Sequence, residues 1–129
     1  PVFYVQYAYA RINSLLKMSN TSLVKKIQFD EINFTLNEMD EKIIRKVFEW
    51  PKIIESVSRK FDLHKIPFYL YELSTLFHAY WSRGNEDKRY KSIENEQIKR
   101  KETLAIINLV AIVIKNGMSI LDVSLPKKM

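Results

Sequence analysis

Between Leu104 and Ile114 the chain reads LAIINLVAIVI, and Asn108 is the one polar side chain in the run. A helix built from this stretch is apolar nearly all the way round, so other helices have to surround it. The stretch therefore selects a helical bundle with the last third of the chain at its centre. Asn116 and Gly117 come next, with Lys115 suited to the helix dipole just before them. Glycine takes up the left-handed conformation that ends helices, so the helix is expected to stop there. The remaining SILDVSLPKKM is expected to lie beside whatever the domain binds. The apolar run is read as too short to span a bilayer, and no signal peptide precedes the first helix. A soluble, cytoplasmic protein without membrane contact is the expectation.

The remainder of the chain supplies the partners that this helix needs. Residues 1–18 place Val5, Ala8, Ile12, Leu15 and Leu16 on one helical face, with Tyr4, Tyr7, Arg11 and Ser14 on an adjoining stripe. Residues 23–37 are weakly patterned, with a short helical turn possible at 22–27. Asn37 or Asp40 is placed to cap a helix whose buried face is Ile43, Ile44, Val47 and Phe48. Pro51 fits the first turn of the next helix, which runs to about Lys60. After the linker Phe61–His64, Pro67 opens a helix with Leu70, Leu73, Leu76, Phe77 and Tyr80 on its apolar face, stopping near Ser82–Asn85. Asn95 is read as the cap of the last helix. With two glycines and four prolines in 129 residues, a turn-rich β fold is excluded. An all-α bundle of about five helices is expected, with residues 1–129 as one domain and no convincing strand. The chain opens on Pro1 without an initiator methionine, so a piece of a longer protein is expected.

Chemistry of the bond-making kind has little to stand on here. There is no cysteine, and His64 and His78 sit in unlike contexts without metal-ligand spacing. The carboxylates are read as lying on solvated faces beside lysines at helical spacing. No glycine-rich phosphate loop exists, because Gly84 and Gly117 both follow predicted helices. This chain alone is therefore expected to be non-catalytic, with no cofactor and no metal. Binding has better support. The net charge is +6, and aromatics gather at Tyr4, Tyr7 and Tyr9 and again at Tyr80 and Trp81. Arg11, Arg83, Lys88 and Arg89 lie among them in sequence. Unpaired RNA bases stack on aromatic rings while cations hold the phosphates.

Three blocks then bear a family resemblance. Tyr4-Val5-Gln6-Tyr7-Ala8-x-Ala10-Arg11-Ile12 is the first, and Phe77-His78-Ala79-Tyr80-Trp81 the second. The third is Asn116-Gly117-x-x-x-Leu121-x-Val123-Ser124-x-Pro126-x-x-Met129. Together, in this order, they resemble the C-terminal anticodon-binding domain of arginyl-tRNA synthetases, the DALR helical domain of a class I aminoacyl-tRNA synthetase. The resemblance implies a bundle that holds the anticodon loop of arginine tRNA, tRNA(Arg). It points to Tyr7, Trp81 and Met129 as base contacts, with Gln6, Arg11, His78 and Tyr80 as supports or phosphate contacts. It also implies an upstream catalytic domain in the same chain, which uses ATP and Mg2+ to charge the tRNA, and a monomeric enzyme. Tyr9 stands where the family usually has histidine, Trp81 where tyrosine is common, and Asp122 where glycine is usual. Lys17-Met18-Ser19-Asn20-Thr21 superficially resembles the signature loop of those catalytic domains, but Asn20 replaces its second lysine, and the likeness is read as coincidence. From a different class, the same exposed aromatics also suit a helical protein–protein interaction module.

Overall fold

The computed structural model describes residues 2–17, 33–86, 93–94, 97–123 and 125–126. It contains five helices among those residues: α1 (Val2–Lys17), α2 (Glu38–Val47), α3 (Trp50–Lys60), α4 (Lys65–Glu86) and α5 (Lys101–Ile120). The architecture is the all-α bundle that the apolar periodicity predicts. A two-residue antiparallel pair, β1 (Ile93–Glu94) with β2 (Gln97–Ile98), precedes α5 and is too short to alter the all-α class. Ile98 is fully buried, so the pair anchors the approach to α5 in the core.

Local chemistry sets the helix boundaries. Asn37 caps α2 through a capping box: its side chain accepts from the Asp40 N–H at 2.8 Å, and Asp40 accepts from the Asn37 N–H at 2.9 Å. Glu38, Asp40 and Glu41 in the first turn, with Arg45 and Lys46 in the last, match the helix dipole. Pro51 sits in the first turn of α3, where its missing N–H has no partner to lose. That helix ends at Phe61, held left-handed at φ 54° with its ring exposed. Helix α4 runs to Glu86, past Gly84, where the sequence suggests an earlier stop.

The core forms where α4 and α5 meet, with α1 and α2 packed against both and α3 against α4. Ile66, Leu70, Leu73, Phe77 and Tyr80 make the buried stripe of α4; Val5, Ala8, Ile12 and Leu15 make that of α1. Helix α5 buries Leu104, Ile106, Ile107, Val110, Val113, Ile114 and Met118. It nevertheless leaves Leu109, Ile112 and Ile120 exposed, so it lines the core with one face and is not enclosed on all sides.

Three readings of this last helix are corrected. Its N-cap is Arg100; Asn95 itself lies outside the described side chains. It passes through Asn116 and Gly117 to Ile120, and Gly117 is a buried helical residue. A Cβ at Gly117 would stand 2.8 Å from Leu70 Cδ1 and 2.9 Å from Leu70 Cδ2. The glycine is there for close helix packing and not as a cap. The left-handed residue is Asp122, at φ 56°. Asp122 N–H donates to Ser119 O at 3.1 Å and Val123 N–H to Met118 O at 2.9 Å, a Schellman closure. Asp122 thus occupies the position that glycine tolerates best. At 20 residues α5 is also long and apolar enough to span a bilayer by length and composition. Half of its apolar window is buried in the bundle, the position of a core helix.

Residues 18–32 lie outside the described residues, including the Met18–Thr21 segment and the turn expected at 22–27. The carboxylates are not all solvated, because Asp40 is fully buried. Arg100 reaches it from 60 residues away, with Nη2 2.7 Å from Oδ2 and Nη1 3.1 Å from Oδ1. Tyr80 donates its hydroxyl to Oδ1 at 2.7 Å and lies 2.8 Å from Thr103 Oγ1. Burial opposes charge on Asp40, yet the bonds from Arg100, Asn37 and Tyr80 outweigh it and hold the carboxyl below its ordinary range. The network ties the entry to α2, the end of α4 and the start of α5 into one unit.

Candidate nucleic-acid interface on helices α1 and α4

Spacing along α1 puts Tyr4, Tyr7 and Arg11 on one stripe, and spacing along α4 puts Tyr71, His78 and Trp81 on another. The two stripes face each other. Tyr4 lies 5.1 Å from Tyr71 and 4.8 Å from His78 between ring centroids, and Tyr7 lies 5.7 Å from His78. The Arg11 guanidinium stands 4.8 Å from the Tyr7 ring and 4.2 Å from the Trp81 ring. It donates to the Tyr7 hydroxyl at 2.7 Å and approaches His78 Nδ1 at 3.4 Å. The contacts form a continuous ladder of rings and one cation. Because Tyr4, Tyr7 and Arg11 meet Tyr71, His78 and Trp81 in ascending order, α1 and α4 run parallel along it.

Charge is one-sided here. Helix α1 has no aspartate or glutamate, and α4 has none from residue 73 to residue 85. Arg11, Lys17 and Arg83 are the formal charges of these segments. Glu72, next to Tyr71 in sequence, points to Lys46 Nζ at 2.6 Å. An aromatic surface with cations and, among the residues of α1 and 73–85 of α4, no carboxylate suits a polyanion with flat, stackable groups.

His78 stays neutral in this setting. Burial, and after it the positive charge of Arg11, push its pKa down to about 4 from an ordinary 6.5. A depressed histidine pKa contributes stability that is complete above 6.5 and is lost as pH falls toward 4. His78→Gln is expected to flatten the fall in denaturation midpoint between pH 6.5 and 4.5, measured by urea titration at each pH. A wild-type-like slope in the variant would remove His78 as its source.

The structure brings together four of the seven residues expected from the sequence. Tyr7, Arg11, His78 and Trp81 share the ladder; Gln6, half-buried, precedes Tyr7 on α1. Tyr7 is 43% exposed, whereas Trp81 is half-buried beneath Arg11. The Arg11 plane therefore carries the Trp81 surface outward, since guanidinium planes also stack on bases. Trp81 Nε1 and His78 Nε2 are buried with no hydrogen-bond partner among the described residues. Tyr80 stands apart. It is 2% exposed with its hydroxyl bonded in the core, so a support role remains open to it and a base contact does not. Lys88, Arg89 and Met129 lie outside the described residues. Leading toward Met129, Val123 and Leu125 pack on the core beside a shallow cleft of about 430 Å³ that Lys115, Ser119 and Asp122 also line. The sequence reading passed over Tyr71, although it lies seven residues before His78 on the same face.

A family model described as the DALR anticodon binding domain matches residues 5–129. The chain belongs to that family. Among the relatives of this DALR domain is the arginine–tRNA ligase of Pelagibacter ubique, 39% identical over 129 residues, covering 100% of this chain and 22% of the relative. The arginine–tRNA ligase of a Chelativorans species is 33% identical, covering 100% of this chain and 23% of the relative. An arginyl-tRNA synthetase structure from Campylobacter jejuni superposes with a TM-score of 0.75 at 23% identity, over 100% of this chain and 26% of that one. The DALR domain thus spans about a quarter of the length of the proteins it matches. Among its described residues no group of three or more acidic or histidine side chains is arranged to hold a metal ion.

Proposed function

We propose that this DALR domain recognises the anticodon loop of arginine tRNA as the RNA-reading part of an arginine–tRNA ligase. The observation that carries the reading is the α1–α4 ladder, with exposed Tyr7, the Arg11–Trp81 stack and no carboxylate in α1 or in residues 73–85 of α4. Anticodon bases are unpaired and splayed, which is what lets aromatic and guanidinium planes take them individually. Tyr7, Arg11 and Trp81 supply stacking surface; Gln6 and His78 hold that surface in place; Met129 acts from the tail. The domain positions the tRNA. Joining arginine to it, with ATP and Mg2+, belongs to a catalytic domain elsewhere in the parent chain. The parent is a cytoplasmic monomer in this reading.

The test is a titration of the domain against an arginine anticodon stem-loop and a scrambled-loop control, at two salt concentrations. The expected result is preference for the native loop, a log–log salt slope of about −0.7 per neutralised single-strand phosphate, and a loss of about 1–3 kcal/mol in Trp81→Ala. Equal affinity for both loops would reduce the interface to general charge attraction. One observation favours a protein partner instead: Phe48, Phe61, Leu63 and Phe68 are exposed around the α2, α3 and α4 junctions. Binding through those side chains would be insensitive to salt and unaffected by Trp81→Ala.

A further inference from the structure

We infer that Tyr71, backed by Tyr4, is a second base-stacking platform, which takes a loop nucleotide beyond those held at Tyr7 and Trp81. The inference rests on the RNA-binding reading above and extends it to the opposite end of the ladder.

Three observations carry it. First, the ladder does not stop at His78, because Tyr4 links His78 to Tyr71 through ring contacts of 4.8 and 5.1 Å. Tyr71 is 46% exposed, marginally more than Tyr7 at 43%, so the ladder presents an open side chain at its Tyr71 end as well as at Tyr7. Second, the one acid beside Tyr71 on α4 is turned aside. The Glu72 carboxylate reaches Lys46 Nζ at 2.6 Å, a lysine it shares with Glu49 at 3.0 Å, and α1 opposite carries no acid. Third, the geometry sets the reach. Ten residues of helix separate Tyr71 from Trp81, about 15 Å at 1.5 Å per residue. Stacked nucleotides in one strand repeat at about 3.4 Å. The ladder is therefore too long for one base and matches a run of several. Tyr4 is the backing ring: half-buried and tilted 43° against Tyr71 at 5.1 Å, it supports that side chain while Tyr71 itself stays 46% exposed.

The experiment uses the 129-residue chain and anticodon stem-loops carrying 2-aminopurine at one loop position at a time. In wild type, two separated loop positions are expected to be quenched on binding, one lost in Trp81→Ala and the other lost in Tyr71→Ala. Tyr71→Ala is expected to weaken binding about 5- to 150-fold, the equivalent of one stacked base, while Tyr71→Trp retains the quench. Circular dichroism of each variant checks that the helices are intact. If Tyr71→Ala leaves affinity and every quench unchanged while Trp81→Ala does not, the second platform is refuted and the RNA reading stands. If wild type shows no preference for the native loop over the scrambled one, the RNA reading fails, and this inference fails with it. Equal loss of native and scrambled loops in Tyr71→Ala would also overturn the platform, leaving Tyr71 a general contact.

Discussion

Asp40→Ala is expected to destabilise the fold by about 3–5 kcal/mol, the cost of leaving a buried charge without its partner. Asp40 is fully buried, and the side chain of Arg100 is 21% exposed, so alanine at position 40 strands the guanidinium with little water to replace the carboxylate. The same substitution removes the acceptor of the Tyr80 hydroxyl and one half of the capping box of α2. These losses share one carboxyl group and do not add as independent terms. A fall in midpoint of about 10–20 °C is the thermal equivalent for a chain of this size. Glu41→Ala, one residue on, removes an i,i+4 partner of Arg45 at 3.6 Å on the exposed surface. It is expected to change stability by less than about 0.5 kcal/mol. Parallel denaturation curves of the two variants check the contrast. Similar midpoints would mean that the Asp40–Arg100 pair does not hold the bundle together.

Gly117→Asn is expected to cost about 2–6 kcal/mol, a sum of overpacking at about 1–3 and burial of an unpaired amide at about 1–3. Asparagine is among the residues that end helices well in the left-handed conformation. At a true C-cap it would be nearly neutral, so this substitution separates the two roles of the glycine. With a Cβ 2.8 Å from a fully buried Leu70 side chain, α4 and α5 have to move apart or Leu70 has to leave its rotamer. Gly117→Ala should be milder, because a gain of about 1 kcal/mol in helix propensity opposes the clash. A tolerated Gly117→Asn would show that the helices separate here without resistance.

The sequence discloses the periodic and local parts of this fold. Asn37 with Asp40 three residues later announces the start of α2, and Pro51 announces α3. Leu70, Leu73, Phe77 and Tyr80 trace one stripe at three- and four-residue spacing, and that stripe is buried. The same spacing sets Tyr80 among core residues, which tells against a base contact. Its place in a dense aromatic block says nothing by itself, because block density is silent about which way each ring faces. The end of α5 is misread for a related reason. Glycine is both the commonest helix terminator and the residue that lets two helices touch, and only the position of Leu70 distinguishes the roles. The Asp40–Arg100 pair has no local signal at all. It joins residues 60 positions apart, and each one alone resembles the charged residues around it. Tyr4 and Tyr71 pair across the same kind of distance, so the ladder between α1 and α4 exists only after folding.

That last property has a consequence for how the domain responds to damage. Arg11 and His78 are 67 residues apart in the chain, and the parallel course of α1 and α4 means that no short hairpin can bring them together. A chain that keeps its helices but loses the bundle has no groove. Binding competence and global folding are then a single equilibrium, and an RNA that occupies the groove raises the unfolding free energy by RT ln(1 + [L]/Kd). Substitutions remote from the ladder, at Asp40 or Gly117, weaken apparent affinity by thinning the folded population, and a saturating ligand restores what they take away.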